Sequence, residues 1–237
     1  MFKIKRTVSI SDVGGDGLLK LGAMSDFMLG CCCFQMDSEK VFADYLEREN
    51  CAVFLASRQI DVLRLPHYGE ILTVCTGVFD CKSIFGYRNT FIFDESGAPV
   101  IKSFSAGAFV SLDRERPIKL PDEVRNALTV DPKADMDYQP RKIAIPGSGG
   151  TAMPSFRVRL CQLDANNHMN SSRYLEEAEE ILPDGFKYDR VRIEYKHQAK
   201  LHTVITPVIF NPEPEKYIVT LNDAAAAPHA IVEFGRR

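Results

Sequence analysis

Three features of the sequence predict an α+β fold made of two similar halves, each a long helix wrapped by a curved antiparallel sheet, packed side by side as a pseudo-dimer. The order strand, polar loop, helix, strand meander occurs twice. The strand-like runs are separated by turn residues. The first helical stretch is apolar nearly all round, as a helix enclosed by a sheet requires.

With 45% hydrophobic and 26% charged residues, the 237-residue chain can bury a core in one domain or two small ones. Lys and Arg number 29 against 32 Asp and Glu, a net charge of -3. That balance gives no global attraction to nucleic acid or an anionic membrane, so an acidic partner must meet a local basic patch. No apolar run approaches the roughly 20 residues that span a bilayer, and the alternating start lacks a signal-peptide core. The expectation is a cytoplasmic protein with neither nucleic acid nor membrane as partner. Seven cysteines, without CxxC pairs or zinc-finger histidine spacing, read as free thiols with no metal site and no cofactor motif.

Residues 1–11 alternate as a strand, and 12–17 (Asp-Val-Gly-Gly-Asp-Gly) break the pattern before a helix over 18–35. A second helical piece covers 38–47. Four strands follow at 53–65, 71–82, 87–94 and 100–112, separated by His67-Tyr68-Gly69, by 83–86 and by 95–99. Residues 129–152 gather Pro132, Pro140, Pro146 and Gly147-Ser148-Gly149-Gly150, and read as a connection between a domain over 1–128 and one over 153–237. The glycine run is no phosphate loop, because no Gly-Lys-Ser/Thr follows it and strand pattern resumes where a helix should start.

The second half reads as a strand at 156–163, a polar loop at 164–170, a helix at 171–182, and strands at 188–196, 204–210, 217–221 and 230–234. Placing Asp164 on Asp12 sets Asn166 against Gly14 and His168 against Asp16. Ile193-Glu194 then matches Ile60-Asp61, and Val204 matches Ile71. The second helix is far more polar than the first, so it is expected to be exposed along one side.

The loop from Leu163 to Asn170 puts a carboxylate, amides and an imidazole within seven residues, directly before a helix start. Asn170 can cap that helix, and the unpaired first-turn N–H groups suit a developing oxyanion. The bland alternative makes Asp164, Asn166 and Asn167 turn formers and His168 a loop histidine. Against it, the first half lacks the amide and imidazole at matching places, which points to one working site per repeat pair. Cys161 reads as a small packed strand residue rather than a nucleophile, and His197 and His202 as solvated strand-end histidines.

The pattern Asp164-x-Asn166-x-His168-x-Asn170, then a helix and Ile193-Glu194-Tyr195-Lys196, resembles the acyl-acyl carrier protein (acyl-ACP) thioesterase family over nearly the whole chain. Residues 105–121 are similar to the segment closing that family's N-terminal half, with Asp113, Arg116, Pro117 and Pro121 matching. The family usually has Trp in that segment, and this chain has none. The resemblance implies two tandem hotdog domains and hydrolysis of the thioester between a fatty acyl chain and the phosphopantetheine arm of acyl carrier protein. Asp164, Asn166 and His168 would then lie in the active site. Where many relatives carry Glu, sometimes followed by Cys, this chain has Gln198-Ala199, and Gln198 cannot take a proton at neutral pH.

Two mechanisms stay open. Asp164 activates a water or attacks the thioester itself, or Asp164 fixes the tautomer of a basic His168. Water attack driven by Asp164, with Gln198 holding the water, is the favoured form. Acyl-CoA hydrolysis, a non-catalytic acyl-thioester binding module and a hotdog dehydratase are the competing functions. Met24, Phe27, Met28, Leu29 and Phe34 of the first helix are expected to wall the acyl pocket. Arg157, Arg159, Arg173, Lys196 or Lys200 would meet an acidic carrier protein, with the enzyme a monomer or homodimer.

Overall fold

The computed structural model describes all residues, Met1–Arg237. They form two compact units, Met1–Arg58 with Val62–Gln139, and Gln59–Asp61 with Pro140–Arg237.

The first unit runs β1 (Phe2–Thr7), α1 (Leu21–Ser38), α2 (Lys40–Arg48), β2 (Cys51–Val62), β3 (Ile71–Lys82), β4 (Phe85–Phe93), β5 (Pro99–Ser111), β6 (Arg116–Pro117) and α3 (Asp122–Ala127). Its strand order is β1-β3-β4-β5-β2, with β6 on β5. β1 pairs antiparallel to β3 from Phe2↔Thr76 to Thr7↔Ile71, and β3–β4–β5 is an antiparallel meander. Helix α1 buries Leu21, Met24, Phe27, Met28, Cys31, Cys32 and Gln35, a stripe too wide for an ordinary surface helix. Leu72, Val74, Ile92 and Ile101 of the sheet are fully buried. Each such side chain contributes roughly 1.5–3 kcal/mol on leaving water.

Phe34 departs from the expected pocket wall. It is 55% exposed, because its position on α1 faces away from the buried stripe. Helix α3 was not legible in the sequence, since six residues are too few to show a period. It is held by Val124, which packs with Phe42, Tyr45, Phe109 and Leu120.

Residues 129–139 lie across the outer face of the first unit's sheet. The Asp131 N–H donates to Val78 O (2.7 Å), and its carboxylate pairs with the Met1 ammonium (2.7 Å). The Tyr138 hydroxyl donates to Asn89 Oδ1 (2.9 Å), while its ring stands edge-on to Phe104 at 5.0 Å. Gly77 allows this approach, because a Cβ there would meet Asp131 Oδ2 at 2.0 Å.

The second unit holds β7 (Thr151–Ala152), β8 (Phe156–Arg157), α4 (Ser171–Glu179), β9 (Arg190–Tyr195), β10 (Val204–Glu213), β11 (Lys216–Asn222) and β12 (Pro228–Gly235). Its strand order is β9-β12-β11-β10-β7, with β8 also on β10. As its composition indicated, α4 is buried along one side only, through Ser172, Tyr174, Leu175 and Ala178. The Ile60-Asp61 and Ile193-Glu194 correspondence has a physical basis, since both carboxylates are buried and paired. Asp61 takes a two-pronged bond from Arg190 (2.7 and 2.9 Å). Glu194 takes Lys196 Nζ (2.7 Å), Arg141 Nη1 (3.3 Å) and the Ile143 N–H (3.2 Å).

The expected strand at 156–163 is shorter. Backbone pairing ends at Val158, whose N–H donates to Thr203 O (2.9 Å), and Leu160–Gln162 forms a 3-10 turn closed by Gln162 N–H to Arg159 O (3.0 Å). The alternation of Arg and Val that reads as a strand continues into this turn, so Cys161 is exposed rather than packed.

Two substitutions test the seating of 129–139. Gly77→Ala is expected to lower the urea unfolding midpoint by forcing Asp131 off β3. Asn89→Ala should cost about 1–3 kcal/mol by stranding the groups it bonds. An unchanged midpoint for Gly77→Ala would show that the segment does not rest there.

Candidate functional site

The polar loop is built on one tight turn. The Asp164 N–H donates to His168 O (2.8 Å) and the Asn167 N–H to Asp164 O (3.0 Å), with Asn167 at φ 59°. Asp164 Oδ1 accepts the N–H groups of Asn166 (2.8 Å) and His168 (3.2 Å). Two β-hairpins use the same device. Asp94 accepts from Ser96 and Ala98 (3.0 Å each), and Asp223 from Ala225 (2.8 Å) and Ala227 (2.9 Å). The turn-former reading of Asp164 therefore holds for one carboxylate oxygen. Oδ2 takes no hydrogen bond from the protein, so the same side chain can both shape the loop and present a free oxygen.

The first unit contains the equivalent turn, and its bonds correct the repeat register. The Gly14 N–H donates to Leu18 O (2.9 Å), and Gly17 N–H to Gly14 O (3.0 Å), with Gly17 at φ 76°. The Lys20 N–H reaches Asp12 O where the Asn170 N–H reaches Gln162 O (2.9 and 2.8 Å). Asp12 thus corresponds to Gln162 rather than to Asp164, and each caps the same 3-10 turn by accepting the N–H three residues before it. Asp164, Asn166 and His168 fall on Gly14, Asp16 and Leu18. Matching like residues gave a frame two positions off, because hydrogen-bond geometry, not identity, defines the turn. In the true frame the Asp164 carboxylate and the His168 imidazole have no counterpart in the first unit, while Asn166 falls on Asp16, which has the same shape but carries a charge.

Beside this turn runs 197–200. The Met169 N–H donates to Ala199 O (2.8 Å), and His168 forms a bridge with Lys200. The fold therefore brings the Gln198 segment against the loop. Gln198 and Asn166 are exposed, and no hydrogen bond joins the Gln198 side chain to Asp164, Asn166 or His168. Asn170 caps α4 as its sequence position suggests, taking the Ser172 N–H at 3.1 Å.

Two buried polar atoms beside the loop, His168 Nδ1 and Ser171 Oγ, have no partner. A native interior rarely leaves such atoms unbonded. No hydrogen bond joins the His168 ring to Asp164, so the carboxylate does not fix the imidazole tautomer here.

Two tyrosines missed in the sequence support the site. The Tyr174 hydroxyl accepts the Ala199 N–H (2.9 Å), and its ring meets Tyr195 edge-on at 5.8 Å. Tyr195 in turn donates to Ser171 O (2.9 Å). Burial, with the added repulsion of the Asp164 charge, pushes the Tyr174 phenol up to about 12 despite the Ala199 hydrogen bond. An aromatic in a polar helix reads as packing, so only the fold reveals this role. Of the basic residues expected to meet an acidic partner, Arg173 is paired with Glu176 (2.8 Å) and Lys196 with Glu194 (2.7 Å). Arg159 lies 3.9 Å from Glu177, while Arg157 and Lys200 are exposed.

In the first unit, a cavity opens among Leu29, Met36, Phe42, Leu55, Arg58 and Phe109. Of the five α1 residues expected to wall a pocket, only Leu29 lines it. Met24, Phe27 and Met28 are sealed in the core.

Comparison with known proteins places both units. Residues 1–128 match the model of the acyl-ACP thioesterase N-terminal domain, and 149–228 that of the acyl-ACP thioesterase C-terminal domain. The chain is 26% identical over 160 residues to the chloroplastic acyl-[acyl-carrier-protein] hydrolase FATB3 of Cuphea viscosissima. That match covers 63% of this chain and 39% of the plant protein, so it spans well under half of the relative's length. The fold is shared with an acyl-ACP thioesterase from Bacteroides thetaiotaomicron (TM-score 0.88, 17% identity, covering 98% of this chain and 96% of that one). It is also shared with the 12:0-ACP thioesterase of Umbellularia californica (TM-score 0.86, 16% identity, 99% and 96%).

Replacing Tyr174 by Phe tests the support. It leaves the buried Ala199 N–H without an acceptor, which should cost about 1–3 kcal/mol in urea unfolding. Because the folded-state value is raised, the wild-type contribution is intact below the ordinary phenol range and is lost as the pH climbs towards 12. The gap between wild type and Tyr174→Phe should narrow over that window, and a gap constant with pH would contradict the assignment.

Proposed function

The chain belongs to the acyl-ACP thioesterase family, and from that premise we propose that it hydrolyses fatty acyl-ACP to free fatty acid and acyl carrier protein. The observation that carries the residue assignment is the Asp164 turn. One oxygen is fixed by two backbone N–H groups, the other is open, and unpartnered His168 Nδ1 and Ser171 Oγ stand close by in the chain.

In this reading Asp164 Oδ2 takes a proton from a water as the water oxygen attacks the thioester carbon. Gln198 holds that water from the neighbouring segment. Asn166 and His168 orient the thioester, and the developing oxyanion meets the start of α4. There the Ser172 N–H is already taken by Asn170, which leaves the N–H and hydroxyl of Ser171. When the tetrahedral centre collapses, the C–S bond breaks and the phosphopantetheine sulfur leaves with the proton Asp164 had taken. The absence of a bond between Asp164 and the His168 ring favours this route over a His168 base.

We assign the acyl-chain pocket to 1–128 and the chemistry to 153–237, with 129–152 connecting them. Arg157, Arg159 and Lys200 are the basic residues left to meet the carrier protein, because Arg173 and Lys196 are held by their own carboxylates. No helix is long and apolar enough to cross a membrane. The proposed setting is the cytoplasm, with the enzyme acting as a monomer or homodimer and without a cofactor.

Asp164→Asn separates the two duties of this residue, because an amide oxygen can still accept both turn N–H groups but cannot take a proton. It is expected to keep the wild-type melting temperature and lose about 10²–10⁴-fold in acyl-ACP hydrolysis. Asp164→Ala should lose activity and also stability. Asp223→Asn, the same change in a hairpin turn, should leave hydrolysis intact. Full activity in Asp164→Asn would remove the assignment, and a strong preference for acyl-CoA over acyl-ACP would remove the carrier-protein partner.

A further inference from the structure

The cavity of the first unit is apolar on most of its wall, yet two guanidinium groups border it. Arg58 is only 3% exposed. Its Nη1 donates to Ser25 Oγ (3.0 Å) and Ser25 O (3.3 Å), while its buried Nε has no partner. Arg88 donates through Nη2 to Gln35 Oε1 (3.0 Å) and through Nη1 to Thr76 Oγ1 (3.4 Å). Neither guanidinium is paired with a carboxylate. The nearest acid on this wall, Glu39, accepts from the Gln35 amide (3.0 Å) instead. A buried cation without a counter-charge is costly, and an unbonded buried donor adds to that cost. A plain hydrocarbon chain would fill the space and leave both guanidinium charges without a counter-charge.

We propose that this cavity binds an aliphatic carboxylate, with the carboxylate against the Arg58 and Arg88 guanidinium groups and the chain along Leu29, Phe42, Leu55 and Phe109. The local field supports it. Burial alone would push the Cys32 thiol up, as it does Cys31, to about 12, and Cys33. Cys32 is instead held below the usual range by the Arg88 and Arg58 charges and by hydrogen bonds with Thr76 and Thr90. A cavity that favours an anion at Cys32 favours one brought in from solution. This extends the assignment of the acyl chain to the first unit and is tested by binding, so loss of hydrolysis and loss of binding are separate results.

The carboxylate has two chemical sources, a free fatty acid or the far end of a dicarboxylic acyl chain. Calorimetric titration of the full-length protein with dodecanoate, dodecanol and the monomethyl ester of dodecanedioic acid distinguishes them. Dodecanoate is expected to bind roughly tenfold to a hundredfold tighter than dodecanol, and Arg58→Gln to abolish that preference. Dodecanoate binding without the half-ester assigns the site to the free acid, while comparable binding of the half-ester admits the dicarboxylic chain. Alkylation of Cys32 in the wild-type protein gives a readout that does not need the variant, with protection by dodecanoate and not by dodecanol. Equal affinity for acid and alcohol, or an undiminished preference in a folded Arg58→Gln protein, would overturn the proposal.

Discussion

A helix enclosed by its own sheet has to be entered through a turn sharp enough to redirect the chain within a few residues. Each unit meets this constraint with the same backbone: a 3-10 turn, a five-residue reversal with one left-handed residue, and an N–H that reaches back to the 3-10 turn. The left-handed position is Gly17 in one copy and Asn167 in the other, the residue types that tolerate it at least cost. Everything the second turn can do chemically depends on this geometry. The backbone bonds are made without side chains, and that frees the side-chain positions to differ between the copies.

The copies use that freedom in opposite ways. In the first, the turn carries Gly14, Asp16 and Leu18 and leads into an 18-residue helix buried over much of its surface. In the second, the same places carry Asp164, Asn166 and His168, and the helix is nine residues long and buried along one side. The long helix helps to enclose a cavity whose wall includes two arginines without acidic partners. The short one ends a loop whose carboxylate has one oxygen bound and one open. The difference between the copies follows from which positions each can leave unpacked.

Much of the architecture was legible in the sequence. The β3 run was read without error, and most other strands to within two or three residues, because period-two alternation and Gly/Pro punctuation are local properties. Residues 156–163 alternate like a strand yet stop pairing after Val158, since alternation does not report where a neighbouring segment ends. Phe34 shares the apolar character of its neighbours, yet it lies on the outer face of α1. The repeat was aligned on Asp12 and Asp164, two aspartates that hold different places in the same turn.

The two-copy plan, the polar loop ahead of the second helix and the family that Asp164, Asn166 and His168 resemble can all be read along the chain. These depend on residue type and spacing along the chain. Only the tertiary structure decided that Tyr174 and Tyr195 brace the loop, that Gln198 lies beside it with its side chain exposed, and that Arg58 is buried without an acid. Those facts depend on which segments meet across the fold and which polar atoms are left without partners. A linear pattern does not encode whether a hydrogen bond is satisfied, because the donor and its acceptor can be dozens of residues apart.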